Sequence, residues 1–90
     1  MGKSKLLPEV EQKELTAGLY DLVLYNDDVN TFDFVIETLV GVCGHEYLQA
    51  VQSAQIVHNN GKCSVKRGTF MALKPKCEAL LEKGLSATIE

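Results

Sequence analysis

The chain has no tryptophan, only two prolines in 90 residues, and no repeat or low-complexity run. It therefore lacks the composition of a linker or a disordered segment, and its body is expected to fold. No apolar run approaches the roughly 20 residues that cross a bilayer as a helix. Met1–Val10 is charged and has no apolar signal core, so a secreted fate is not expected and the chain reads as cytoplasmic. Three cysteines, Cys43, Cys63 and Cys77, make an odd count without a CxxC pair, which fits reduced thiols better than a disulfide framework. Aromatic residues are scarce where bases are plentiful, Phe70 being alone among them after Gly61. That combination argues against a nucleic-acid surface.

Cations are also missing from a long stretch. No lysine or arginine lies between Glu14 and Lys62, whereas Asp21, Asp27, Asp28, Asp33, Glu37 and Glu46 all fall there. From Lys62 onward the balance reverses, with Lys62, Lys66, Arg67, Lys74, Lys76 and Lys83 against Glu78, Glu82 and Glu90. The net charge of −3 hides this segregation. The first half suits a cationic partner and the second an acidic surface.

Apolar periodicity divides the chain into a leader and one domain. Residues 1–17 mix charges with few periodic apolar positions and read as a flexible arm; 18–90 form the core domain. Leu19–Tyr25 is a β-branched and aromatic run, hence a strand. Asn30 is placed to cap a helix with Asp33 at N3, and Phe32, Val35, Ile36, Leu39, Val40 and Cys43 form its inner stripe up to Gly44. A second helix is expected over about Glu46–Asn59, with Leu48, Val51, Ala54 and Val57 inward. Asn59-Asn60-Gly61 ends it, and Lys62–Arg67 alternates as a half-buried strand. Thr69 can cap a third helix that ends at Gly84, with Cys77, Leu80 and Leu81 inward. Pro75 implies either a start near Lys74 or an irregular first turn. Leu85–Glu90 closes the chain as a strand. The order β-α-α-β-α-β predicts an α+β domain, a three-stranded antiparallel sheet with helices on one face.

The segment Tyr25-Asn26-Asp27-Asp28-Val29-Asn30-Thr31-Phe32 then stands out. It runs from strand to helix through three adjacent acceptor side chains, two of them carboxylates, with no neighbouring cation to pair them. Such a cluster is suited to a positive group brought from outside. Read alone, Asp27 and Asp28 also fit plain turn and capping residues, and His58 an ordinary histidine at a helix end.

The Asn26-Asp27-Asp28 triplet, Phe34-Val35 on the next helix, Val57-His58-Asn59-Asn60-Gly61-Lys62 and the terminal Thr88-Ile89-Glu90 together resemble the ClpS family. His58 follows Asp27 by 31 residues, in a VHxxGK context. The likeness runs from about Leu19 to Glu90 and implies the same β-α-α-β-α-β fold. It implies a non-enzymatic, cofactor-free and metal-free adaptor that delivers N-degron substrates to an AAA+ Clp protease. The expected partners are substrate proteins and the N-terminal domain of a Clp-family ATPase, met by a monomer. Carried onto this chain, the resemblance assigns Asn26, Asp27 and His58 to the substrate's free α-amino group. It assigns Asn30, Phe32, Val35, Ala54, Val57 and Leu85 to an apolar pocket for a Leu, Phe, Tyr or Trp first side chain.

The chain departs from the family pattern at several of these positions. Asn30-Thr31-Phe32 stands where Thr-Pro-Met is common, so a stiffer ring replaces a gating methionine. Ala54 stands where a bulky residue is frequent, which deepens or widens the pocket unless Phe32 leans over it. Thr69-Phe70-Met71-Ala72-Leu73-Lys74-Pro75-Lys76 replaces an acidic helix start that family members use to dock the unfoldase. Two other classes fit parts of the sequence: a thiol or metal enzyme built on Cys43 and His45, and a non-degradative interaction domain of the same small α+β fold.

Overall fold

The computed structural model describes residues 18–90; the arm expected over 1–17 lies outside them. Six elements follow in the order β1 (Tyr20–Tyr25), α1 (Phe32–Cys43), α2 (Tyr47–Asn60), β2 (Lys62–Gly68), α3 (Phe70–Glu82) and β3 (Ser86–Ile89). The strands form one antiparallel sheet in the order β2-β1-β3. This is the α+β fold expected from the periodicity.

β1 is central and sets which side chains face the helices. Leu22 and Leu24 are fully buried and pair across the sheet with Ile89 and Ala87. They meet Ile36 and Leu39 of α1, Ala50, Ala54 and Val57 of α2, and Leu73, Cys77 and Leu80 of α3 in one core. The opposite face is polar. Ser64 donates to Asp21 at 2.9 Å, Tyr25 and Thr88 both donate to Glu90, and the Lys62 ammonium lies 5.9 Å from the Tyr25 ring centre. The Tyr25 hydroxyl holds the Glu90 carboxyl below its ordinary range, and Glu90 raises Tyr25 in return.

The β1–β2 ladder slips once. Leu22 pairs with Lys66 and Val23 with Ser64, so Val65 is an extra residue in a bulge. Its side chain is buried, and its carbonyl accepts from His45 Nε2 at 2.7 Å. His45 is thus a core residue between α1 and α2 that donates through Nε2.

Three local expectations are corrected, and one left open is settled. Thr31, not Asn30, caps α1, its hydroxyl accepting from the Phe34 N–H at 3.1 Å. Leu48 and Leu81, read as inward, are 66% and 51% exposed. The buried line of α2 is Ala50, Ser53, Ala54 and Val57, because a helix advances 3.6 residues per turn and strict three-residue spacing drifts off its inner face. Val40 of the expected α1 stripe is exposed as well. The third helix begins at once after Thr69, whose hydroxyl accepts from the Ala72 N–H at 3.1 Å, and continues through Pro75. Pro75 has no N–H for the carbonyl of Met71, four residues back, and Met71 is exposed.

Candidate functional site: an acceptor loop over an apolar cleft

The loop between β1 and α1 owes its shape to Asp27. One carboxylate oxygen, Oδ1, accepts from the backbone N–H groups of Val29 and Asn30, each at 2.9 Å. The other, Oδ2, accepts from the Asn30 side-chain amide at 3.0 Å. This is an Asx-type turn, which lets an Asn-Asp-Asp sequence leave a strand and enter a helix within a few residues. The Asn30 N–H, with help from the Asn30 amide and the Val29 N–H, holds the Asp27 carboxyl below its ordinary range, against an opposing push from burial.

The loop is brought to the end of α2 by a single backbone bond. The Asn26 N–H donates to the Gly61 carbonyl at 2.9 Å, extending the β1–β2 pairing by one step. Gly61 closes α2 with φ +94°, a conformation that a side chain strains, and its N–H returns to the Val57 carbonyl at 2.8 Å. His58 lies in the last turn of that helix. Strand end, loop and helix end therefore converge on one place, although Asn26 and His58 are far apart in sequence.

A cavity of about 590 Å³ opens at that convergence. Its polar wall is Asn26, Asp27, Asp28, Asn30 and His58, joined by Gln55 and Asn59. Its apolar wall is Phe32 and Val35 from α1 and Ala54 and Val57 from α2. Ala54 and Val57 are buried and form the floor, whereas Phe32 is 41% exposed and stands at the mouth. Among the described residues, no lysine or arginine lines the cavity to pair with the acidic loop. A cavity with this lining offers hydrogen-bond acceptors and negative charge together with apolar carbon.

A family model described as the ATP-dependent Clp protease adaptor protein ClpS matches residues 16–88. The chain belongs to the ClpS family. The ClpS adapter of Campylobacter jejuni is 36% identical over 61 residues, a match that covers 68% of this chain but only 62% of the relative's length. That of Synechococcus elongatus is 33% identical over 89 residues, covering 92% of this chain and 88% of the relative. The structure of Agrobacterium tumefaciens ClpS2 bound to L-phenylalaninamide matches with a TM-score of 0.73 at 27% identity, over 80% of this chain and 94% of that one.

Of the residues assigned by the ClpS resemblance, the large cavity gathers Asn26, Asp27, His58, Asn30, Phe32, Val35, Ala54 and Val57. Leu85 is set apart. It is buried, and it lines a separate space of about 20 Å³ behind the loop with Leu24, Tyr25, Asn26, Asp27, Asn30, Val35 and Val57. Gln55 and Asn59 were missed. Their signal was available, since with His58 they occupy i, i+3 and i+4 on one face of α2. Cys43 and His45, the basis of the thiol or metal reading, are both buried in the core. Burial pushes the Cys43 thiol up, away from the reactive range. Among the described residues, no three His, Cys, Asp or Glu side chains converge as a metal site.

Proposed function

We propose that this chain is an adaptor that binds the free N-terminus of proteins beginning with Leu, Phe, Tyr or Trp and delivers them to an AAA+ Clp ATPase. The observation that carries the reading is the cavity, which brings the acceptor loop and His58 together with the apolar side chains of Phe32, Val35, Ala54 and Val57. A terminal ammonium has three donors and no acceptor. Asn26 Oδ1, a ring nitrogen of His58 and a lone pair of Asp27 Oδ2 are the acceptors assigned to it. A carboxylate has about four acceptor positions, and the loop occupies three in Asp27. One lone pair and the full charge remain for a ligand.

The first side chain then enters between Phe32, Val35, Ala54 and Val57. Burying a Leu or Phe side chain is worth roughly 1.5–3 kcal/mol. A Lys or Asp first residue would leave water there without a partner. A dissociation constant near micromolar, about 8 kcal/mol, suits an adaptor that must release its cargo. L-phenylalaninamide, the ligand of the Agrobacterium relative, carries both a free α-amino group and a benzyl side chain. The ATPase contact is assigned to the start of α3, where Met71 is 63% exposed and Lys74 and Pro75 lie on the surface. A titration with peptides that differ only in their first residue, each with a free and an acetylated N-terminus, tests the reading. Binding confined to free, bulky apolar N-termini supports it; equal binding of acetylated peptides overturns it.

A further inference from the structure

The Asn30 side chain does not cap α1; it joins the loop to a distant turn. Its Nδ2 donates to Asp27 Oδ2 at 3.0 Å and to the Gly84 carbonyl at 2.9 Å. Both partners are pure acceptors, so the orientation of the amide is fixed: only nitrogen can face them. Gly84 is 54 residues away in sequence, in the turn between α3 and β3, where it has φ +90°. It precedes Leu85, the buried residue that lines the small space behind the loop. That space also touches Asn26, Asp27 and Asn30.

We propose that Asn30 is a positioning residue whose amide clamps the Asp27 carboxylate to the Gly84 carbonyl and thereby fixes the acceptor loop against the α3–β3 turn. The role rests on the amine-binding reading of the cavity. Without the clamp, Asp27 keeps its two backbone donors but loses the contact that sets where Oδ2 points. An ammonium read by a few acceptors is sensitive to that direction, because hydrogen bonds weaken steeply as they bend. The titratable groups that share the two spaces with Asn30 are Asp27 and Asp28 on the loop, His58 of α2 and Tyr25 at the end of β1, and Lys83 precedes Gly84 in the chain. None of the others is hydrogen-bonded to the Asn30 amide.

Asn30→Asp replaces the donor nitrogen with an oxygen in nearly the same volume. It places a second carboxyl against Asp27 and leaves the Gly84 carbonyl without its donor. Asn30→Ala removes the clamp without adding charge. Peptide affinity at about pH 7.5 and denaturant stability from about pH 4 to 8 are measured for both variants and the wild type, after circular dichroism shows them folded. Binding of a free Leu- or Phe-initiated peptide is expected to fall on the order of tenfold in Asn30→Asp and less in Asn30→Ala. The stability gap between Asn30→Asp and wild type is expected to narrow as pH falls, because the new carboxyl then protonates and donates to Asp27. The gap of Asn30→Ala is not expected to narrow in this way. A stability gap independent of pH for Asn30→Asp overturns the clamp. Unchanged peptide affinity in both variants overturns its positioning role. A wild type that binds no peptide overturns the amine-binding reading instead, and the stability comparison still decides whether the clamp exists.

Discussion

Asp27→Asn is the most telling single substitution, because it separates charge from shape. In the native loop the carboxylate accepts two backbone N–H groups on one oxygen and the Asn30 amide on the other. The substituted side chain keeps an oxygen for the backbone pair, so the turn survives. Its nitrogen then faces the Asn30 nitrogen, donor against donor, and the counter-charge for a bound ammonium is gone. Losing one partner of a buried charge pair typically weakens binding by about 2–5 kcal/mol. The half-exposed position of Asp27 argues for the lower end, about 2–3 kcal/mol, or roughly 30- to 150-fold. Stability should fall by less, on the order of 1 kcal/mol for one hydrogen bond lost in a solvent-washed loop. Fluorescence anisotropy with a labelled Leu-initiated peptide reads the first quantity and urea denaturation the second. The pH dependence has a definite sign. Asp27 is held below its ordinary range when folded, so its contribution is present above the unfolded carboxylate pKa and is lost as pH falls through the lowered folded value. Asp27→Asn should abolish that part of the acid limb. Wild-type affinity in Asp27→Asn, or a larger loss in Asp28→Asn, would refute the assignment of the counter-charge to Asp27.

Three further outcomes are expected. Ala54→Met fills the floor of the cavity and should penalise a Trp-initiated peptide more than a Leu-initiated one, by about 1–3 kcal/mol; the ratio of the two dissociation constants measures it. Leu39→Ala removes a fully buried side chain at the centre of the core and should cost about 2–5 kcal/mol of stability by urea denaturation. Deleting residues 1–17 should leave peptide affinity unchanged and slow degradation by the cognate Clp machine; an unimpaired degradation assay would make the segment dispensable for delivery.

What was legible in the sequence followed from local chemistry. The β-branched run of β1, the alternation of Lys62–Arg67 and the breaks at Gly44, Gly61 and Gly84 placed all six elements within a few residues of their true ends. What was not legible depended on partners distant in the chain. Asn30 and Thr31 are adjacent and both are good helix caps. Thr31 makes the cap, while the Asn30 amide donates to the Gly84 carbonyl, 54 residues away. Pro75 argued for a late or broken third helix, but the Thr69 cap starts it at Phe70, and the carbonyl that Pro75 leaves without a donor belongs to the exposed Met71, where solvent can satisfy it. The bulge at Val65 and its His45 partner carry no local signal, since a single histidine after a glycine has many meanings. The cavity was half legible. Helix spacing turned Ala54 and Val57 inward and the acceptor triplet stood out by its isolation from lysine and arginine, but their joining with His58 in one pocket came only from the ClpS resemblance. Gln55 and Asn59 were passed over because exposed polar residues on a helix are ordinary until a facing loop makes a wall of them.

The central claim, that the cavity reads a free ammonium together with an apolar first side chain, is tested most directly by one paired titration. A Phe-initiated peptide and its acetylated twin, otherwise identical, are titrated into the full chain by isothermal calorimetry. Binding near micromolar is expected for the free peptide, with a loss of at least about a hundredfold on acetylation, which removes the charge and two of the three donors. Indistinguishable dissociation constants for the pair would contradict it.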